Sequence, residues 1–300
     1  IQKQFEHRII TINGFSNGIR RFCFGFAKKV LIANTVAKAA DKIFALPPEQ
    51  IDFATAWLGA ICYTLQIYFD FSGYSDMAIG LAALFGFKYK ENFNYPYISK
   101  TVGEFWHRWH ISLSTWLRDY VYINLGGNRS GKLKYYFNIL FVFLCSGLWH
   151  GANMTFVLWG IWYGIFIIIE SLFLKDFLQN KKLLSHFYAL LVIIFGWVMF
   201  RADSINYAVH YWMQMFKINM LNLELTQEFL QNDVILAIIF GIIFSIDWRT
   251  PYKKLVCRSK THLRFLVFKT AGYICAFLLF ILSVMSVMSN TYNPFIYFRF

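Results

Sequence analysis

The sequence predicts an all-α, polytopic membrane helix bundle with interfacial and re-entrant helices, on three observations. Of its 300 residues, 58% are hydrophobic and 15% charged, against roughly 45–50% and about 25% in soluble domains. Its mean hydropathy is +0.45. Apolar runs of near-spanning length recur between basic loops, and a membrane helix needs about 20 apolar residues. The chain reads as one membrane domain over 1–300. An interfacial amphipathic segment covers 1–48, a motif-bearing region 53–153, and C-terminal transmembrane helices 154–300.

The elements follow in order. The start at Ile1 shows no signal-peptide pattern and reads as the continuation of something upstream. Over 15–44, Arg20, Arg21, Lys28, Lys29, Lys38 and Lys42 punctuate an apolar pattern. That predicts an amphipathic helix, or a pair, at the cytoplasmic interface. Pro47 and Pro48 then break the chain. Spans are predicted over 53–69, 155–174, 183–200 and 265–288. The shorter runs 137–149 and 234–246 either extend into their flanks or stay buried away from lipid. The run 75–87, near Gly73, Gly80 and Gly86, either packs closely against a neighbour or re-enters the membrane.

The net charge is +13. Its cations cluster between apolar runs, which fits loops facing anionic lipid and excludes a nucleic-acid partner. Residues 249–264 carry six cations and no acid, and Lys175, Lys181 and Lys182 mark a second basic loop. By the positive-inside rule both are cytoplasmic, as is the stretch 99–134, whereas the acidic stretch 201–233 is external. The five cysteines form no CxxC pair, so neither a zinc site nor a disulfide framework is indicated.

The chemistry concentrates in a few segments. His150 lies in Gly147-Leu148-Trp149-His150-Gly151-Ala152-Asn153, between two apolar runs. An imidazole at membrane depth is costly and marks a functional site. Its neutral form takes a proton from a hydroxyl near physiological pH. The segment Phe105 to Tyr120 adds Trp106, His107, Arg108, Trp109, His110, Trp116, Arg118 and Asp119. Trp and Tyr there fit an interfacial belt, but two His, two Arg and an Asp exceed one. No carboxylate sits at ligand spacing beside His107 and His110, so no metal is expected. Asp70 and Asp76 either cap a helix start with Ser72 or Ser75 or line a polar cavity. Leu125-Gly126-Gly127-Asn128-Arg129-Ser130-Gly131 reads as a tight cytoplasmic loop, because it lacks a P-loop ending. His7, His186, His210 and His262 are assigned to loops without a role.

Together these segments carry a family resemblance. Phe71-Ser72-Gly73-Tyr74-Ser75-Asp76-Met77-Ala78-Ile79-Gly80, Glu91 to Tyr97, Glu104 to Tyr120, Leu125 to Arg129 and Gly147 to Asn153 resemble the membrane-bound O-acyltransferase superfamily. The residues from Asn293 to Phe300 resemble its C-terminal end. The resemblance is nearest to the alginate and peptidoglycan O-acetyltransferase branch, and more distant to the D-alanyl transferases.

That resemblance implies a helix bundle around a central tunnel in the bacterial inner membrane, with several further helices before residue 1. It implies His150 as the signature histidine and His110 as its partner in catalysis. Trp106, His107, Trp116, Arg118, Asp119, Trp149 and Asn153 are expected along the tunnel and donor path, unless Arg118 and Asp119 pair structurally. His107 stands where relatives often have arginine. No tightly bound cofactor is expected; acetyl-CoA is the implied cosubstrate. Membrane lipid, an extracytoplasmic SGNH-type acetyltransferase and a polysaccharide acceptor are the implied partners. Two readings from other classes compete. One is a transporter for a small anionic metabolite, disfavoured because no internal symmetry is visible. The other is a non-catalytic docking subunit.

Overall fold

A computed structural model of the protein describes residues 2–6, 8–129, 131–218, 223–248, 250–251 and 262–289. The helices are α1 (Gln2–Glu6), α2 (Ile12–Ala27), α3 (Asn34–Phe44), α4 (Phe53–Leu84), α5 (Val102–Arg108), α6 (Ile111–Leu117) and α7 (Lys132–His150). They continue as α8 (Met154–Ile169), α9 (Lys175–Asn180), α10 (Lys182–Arg201), α11 (Ile205–Gln214), α12 (Leu223–Phe229), α13 (Asn232–Phe244) and α14 (His262–Ser289). Short π-helical segments occupy Lys28–Ala33, Arg118–Tyr122 and Glu170–Leu174. Among the described residues there is no strand, so the protein is all-α as its composition predicts.

Three helical stretches are long and apolar enough to cross a membrane: Met154–Leu174, Lys182–Arg201 and Leu266–Ser289. The run predicted at 234–246 falls on the shorter apolar α13. On α14, Phe277, Leu278, Met285 and Met288 are exposed, the surface that lipid covers on a spanning helix. Most of the basic loop 249–264 and all of 293–300 lie outside the described residues.

The chain divides into two compact units. Among the described residues, one comprises those within 2–36, 65–91 and 236–289. Here Thr11 caps α2 by accepting from Gly14 N–H at 3.0 Å. Glycines then let α2 and α4 touch: a Cβ on Gly18 would sit 2.7 Å from Gly80 O, and one on Gly25 2.7 Å from Gly73 O. Such close approach needs small residues at the crossing. It brings opposite charges together. Lys29 pairs with Asp70 at 2.5 Å, Lys28 with Asp76 at 2.7 Å, and Arg21 bridges Asp76 at 2.7 Å and Glu91 at 2.5 Å.

These pairs revise two expectations. Asp70 and Asp76 lie inside one continuous α4, so they cap no helix start, and the runs 53–69 and 75–87 are a single element. Cations of α2 and the following π segment hold both carboxylates, which lets a helix carry them through a buried region. Lys29, one of the cations that punctuate the amphipathic pattern over 15–44, is buried against Asp70.

Among the described residues, the other unit comprises Ala37–Thr64 and Asn92–Ile235. Asp52 caps α4 by accepting from Ala54 N–H at 2.8 Å. Gly147 and Gly160 let α7 and α8 meet backbone to backbone, since a Cβ on either would collide with a carbonyl of the facing helix. Between α8 and α10, Trp162 donates its indole N–H to Val192 O at 3.1 Å and Tyr163 donates to Ile193 O at 3.2 Å. Arg201, ending α10, bonds Asp41 at 2.9 Å. This packing holds the ends of α5, α7, α8 and α10 around one cluster of rings.

Candidate active site

The site begins with α5. Thr101 caps it by accepting from Glu104 N–H at 2.9 Å. Glu170, from the π segment after α8, adds a second cap: its carboxylate accepts from Val102 N–H at 2.5 Å and Gly103 N–H at 3.1 Å. Negative charge at a helix N-terminus satisfies unpaired donors and complements the macrodipole. So anchored, α5 buries Phe105 against Trp109, Tyr163 and Trp197.

After α5 the chain turns sharply. His110 adopts the left-handed conformation at φ 42° and ψ 55°, which costs a non-glycine residue roughly 1–3 kcal/mol. The segment 92–94 holds it there. Ile111 N–H donates to Asn92 O at 3.0 Å, and Asn94 N–H to Arg108 O at 2.9 Å. The side-chain Oδ1 of Asn92 accepts from Ser112 N–H at 3.1 Å and Ser112 Oγ at 2.9 Å, and faces His110 Nδ1 at 3.3 Å.

His150 ends α7. Its ring centroid lies 4.9 Å from Trp149, 5.1 Å from Trp159 and 4.9 Å from Phe200, with edge-to-face geometry in each case. Trp149 also contacts His110, at 6.0 Å. One ring thus touches both histidines. Trp106 stands behind Trp159 at 5.5 Å, and Trp197 behind it at 6.1 Å. The indole nitrogens of Trp106 and Trp197 are buried and have no acceptor among the described residues. Buried donors left unpaired are uncommon and call for an explanation.

Both imidazoles lie outside the three candidate spans. Burial pushes His110 down to about 4, and pushes His150 down to about 3 with the nearby His110 acting in the same direction. Each is therefore neutral near pH 7, with one nitrogen to donate and one to accept. A neutral imidazole has one nitrogen that can accept a proton from a hydroxyl, although burial weakens it as a base.

The other predicted residues fall in varied places. His107 is exposed, and Trp149 is half exposed while touching both histidines. Trp116 is exposed and stacks on Tyr120 at 5.4 Å. Arg118 pairs with Asp119 at 2.8 Å, with both side chains largely in the open. Asn153 caps α8, accepting from Thr155 N–H at 3.1 Å and donating to Asp203 O at 3.1 Å. Trp159, Trp197, Phe200, Glu170 and the clamping role of Asn92 went unread in the sequence. For Glu170 a signal existed: it is a lone carboxylate in an apolar run.

Comparison with known proteins adds a lineage to this geometry. A family model described as MBOAT, membrane-bound O-acyltransferase family, matches residues 2–210. The chain is 50% identical over 214 residues to a probable alginate O-acetylase AlgI of Azotobacter vinelandii, covering 71% of this chain and 42% of that protein. It is 38% identical over 211 residues to a peptidoglycan O-acetyltransferase of Helicobacter pylori, covering 69% of this chain and 40% of that protein. A teichoic acid D-alanyltransferase of Bacillus subtilis is 35% identical over 129 residues, covering 40% of this chain and 31% of that protein. The chain thus spans about four-tenths of the length of the first two relatives.

Proposed function

The chain belongs to the membrane-bound O-acyltransferase family, and from that premise we propose that it transfers an acetyl group from a cytoplasmic thioester, acetyl-CoA, towards a hydroxyl of a cell-envelope polysaccharide. The observation that carries the chemistry is His150, neutral and in edge-to-face contact with Trp149, Trp159 and Phe200. The likeness to proteins named for alginate and peptidoglycan O-acetylation supports acetyl as the group and a polysaccharide as the acceptor class.

In the proposed step, His150 removes the proton of the attacking hydroxyl as its oxygen bonds to the thioester carbonyl carbon. General-base help of this kind contributes about 10²–10⁴-fold. The carbon–sulfur bond then breaks and the thiolate departs with the proton from the imidazolium. The buried N–H groups of Trp106 and Trp197 suit a carbonyl oxygen whose charge grows in the transition state. The buried rings of Trp159 and Phe200 shield one side of His150 from water, which would otherwise hydrolyse the thioester. His110 orients the donor or relays the proton. The acceptor receives the acetyl group directly or through an extracytoplasmic SGNH-type acetyltransferase. The setting is the cytoplasmic membrane of a bacterium, consistent with the bacterial relatives.

The test supplies radiolabelled acetyl-CoA to inside-out membrane vesicles holding the protein and follows label into alginate and peptidoglycan. Label in either polymer supports the reading. Intact acetyl-CoA and unlabelled polymer, with the protein present and folded, would count against it.

A further inference from the structure

Asn92 sits where a histidine's proton is decided. Its Oδ1 lies 3.1 Å from Ser112 N–H, a group that can only donate. That contact fixes the orientation of the Asn92 amide, with oxygen rather than nitrogen turned towards the His110 turn. Ser112 Oγ donates to the same oxygen at 2.9 Å. The nitrogen of His110 that faces it, at 3.3 Å, is Nδ1. A carbonyl oxygen cannot donate, so this contact is a hydrogen bond when Nδ1 carries the proton.

We propose that Asn92 is a positioning residue that locks His110 as the Nδ1–H tautomer, making Nε2 the basic nitrogen of that ring. The inference rests on the reading of His110 as part of the acetyl-transfer site. The histidine side chain in water favours the Nε2–H tautomer, so the protein must impose this one. Two further features fit an imposed geometry. His110 is held in left-handed backbone, and Asn92 O also grips Ile111 N–H at 3.0 Å. Ser112 Oγ lies 3.3 Å from Nδ1, but its single proton goes to the nearer Asn92 Oδ1 at 2.9 Å. The same segment therefore fixes backbone, ring and proton together. Outer partners of this kind commonly set which nitrogen of a histidine is basic.

The experiment records ¹⁵N spectra of the imidazoles in the full chain in detergent micelles, with His110→Gln assigning the His110 signals. The wild type is expected to show a protonated Nδ1 and an unprotonated Nε2. In Asn92→Ala the signals should move towards the Nε2–H form, and kcat should fall at least about tenfold with KM changed less, as for other lost tautomer partners. In Asn92→Asp, whose carboxylate also only accepts at neutral pH, the Nδ1–H signal and most of kcat should return. A wild-type His110 protonated on Nε2 would overturn the proposal, and so would an unchanged tautomer in Asn92→Ala. A tautomer that shifts with kcat unchanged would also overturn it, by removing His110 from the reaction. Absence of acetyl transfer by the wild type, with the tautomer as expected, would instead refute the proposed function and leave the Asn92–His110 geometry standing.

Discussion

His150 and His110 owe their neutrality to where they are placed. Burial holds the two near 3 and 4, well under the ordinary histidine value of about 6.5. A base that is neutral down to such pH loses function only when pH falls through its lowered value. The profile of kcat/KM is therefore expected to stay flat from pH 7.5 to pH 5, and an acid limb near 6.5 would contradict the assignment. Stability follows the same sign. Between roughly pH 6.5 and 4 the unfolded chain binds protons that the folded histidines refuse, so stability rises with pH there. Trp106 offers a sharper test. Trp106→Phe keeps a ring against Trp159 but deletes a buried N–H with no acceptor among the described residues. Removing an unsatisfied donor should leave Tm unchanged or higher. If that donor serves a developing oxyanion, turnover should fall by about tenfold or more. A loss of Tm with turnover intact would mark Trp106 as packing alone. Sequence made the histidines legible as site candidates, because polar groups among apolar runs demand a reason, whereas Trp106 stood out only through the family resemblance. Trp159 and Phe200 gave no such sign, because an aromatic residue in a span looks the same facing lipid or lining a site.

At the scale of elements, α5 is the piece whose position matters most. It is seven residues long, too short to hold itself, since isolated helices under about 12–15 residues are marginal. Its local cap, Thr101 with Glu104, is legible from the T-x-x-E spacing. Its second cap is not, because Glu170 lies 68 residues from Val102 and only the packing of α8 beside α5 brings it there. Glu170→Ala would strand two backbone donors in a buried place, which costs about 1–3 kcal/mol, and should lower Tm measurably in a thermal melt. Glu170→Gln keeps one acceptor and should lose less. Equal melting of wild type and Glu170→Ala would show that the cap contributes nothing. The joined α4 teaches a related lesson. Asp70 and Asp76 look like punctuation in a one-dimensional reading, but their partners Lys29, Lys28 and Arg21 neutralise them from another helix.

At the scale of the molecule, composition fixed the class early. A chain this apolar and this sparsely charged has few soluble solutions, and Met154–Leu174, Lys182–Arg201 and Leu266–Ser289 bear that out as candidate spans. Resemblance and matching relatives then agree on the family. In the proposed reaction His150 performs the transfer. The most direct test of that role is the O-acetyl content of envelope polysaccharide in cells lacking the native gene, complemented with wild type or with His150→Ala at equal membrane abundance. A fall of about 10²-fold or more is expected in the variant. Acetylation by His150→Ala within twofold of wild type would contradict that role.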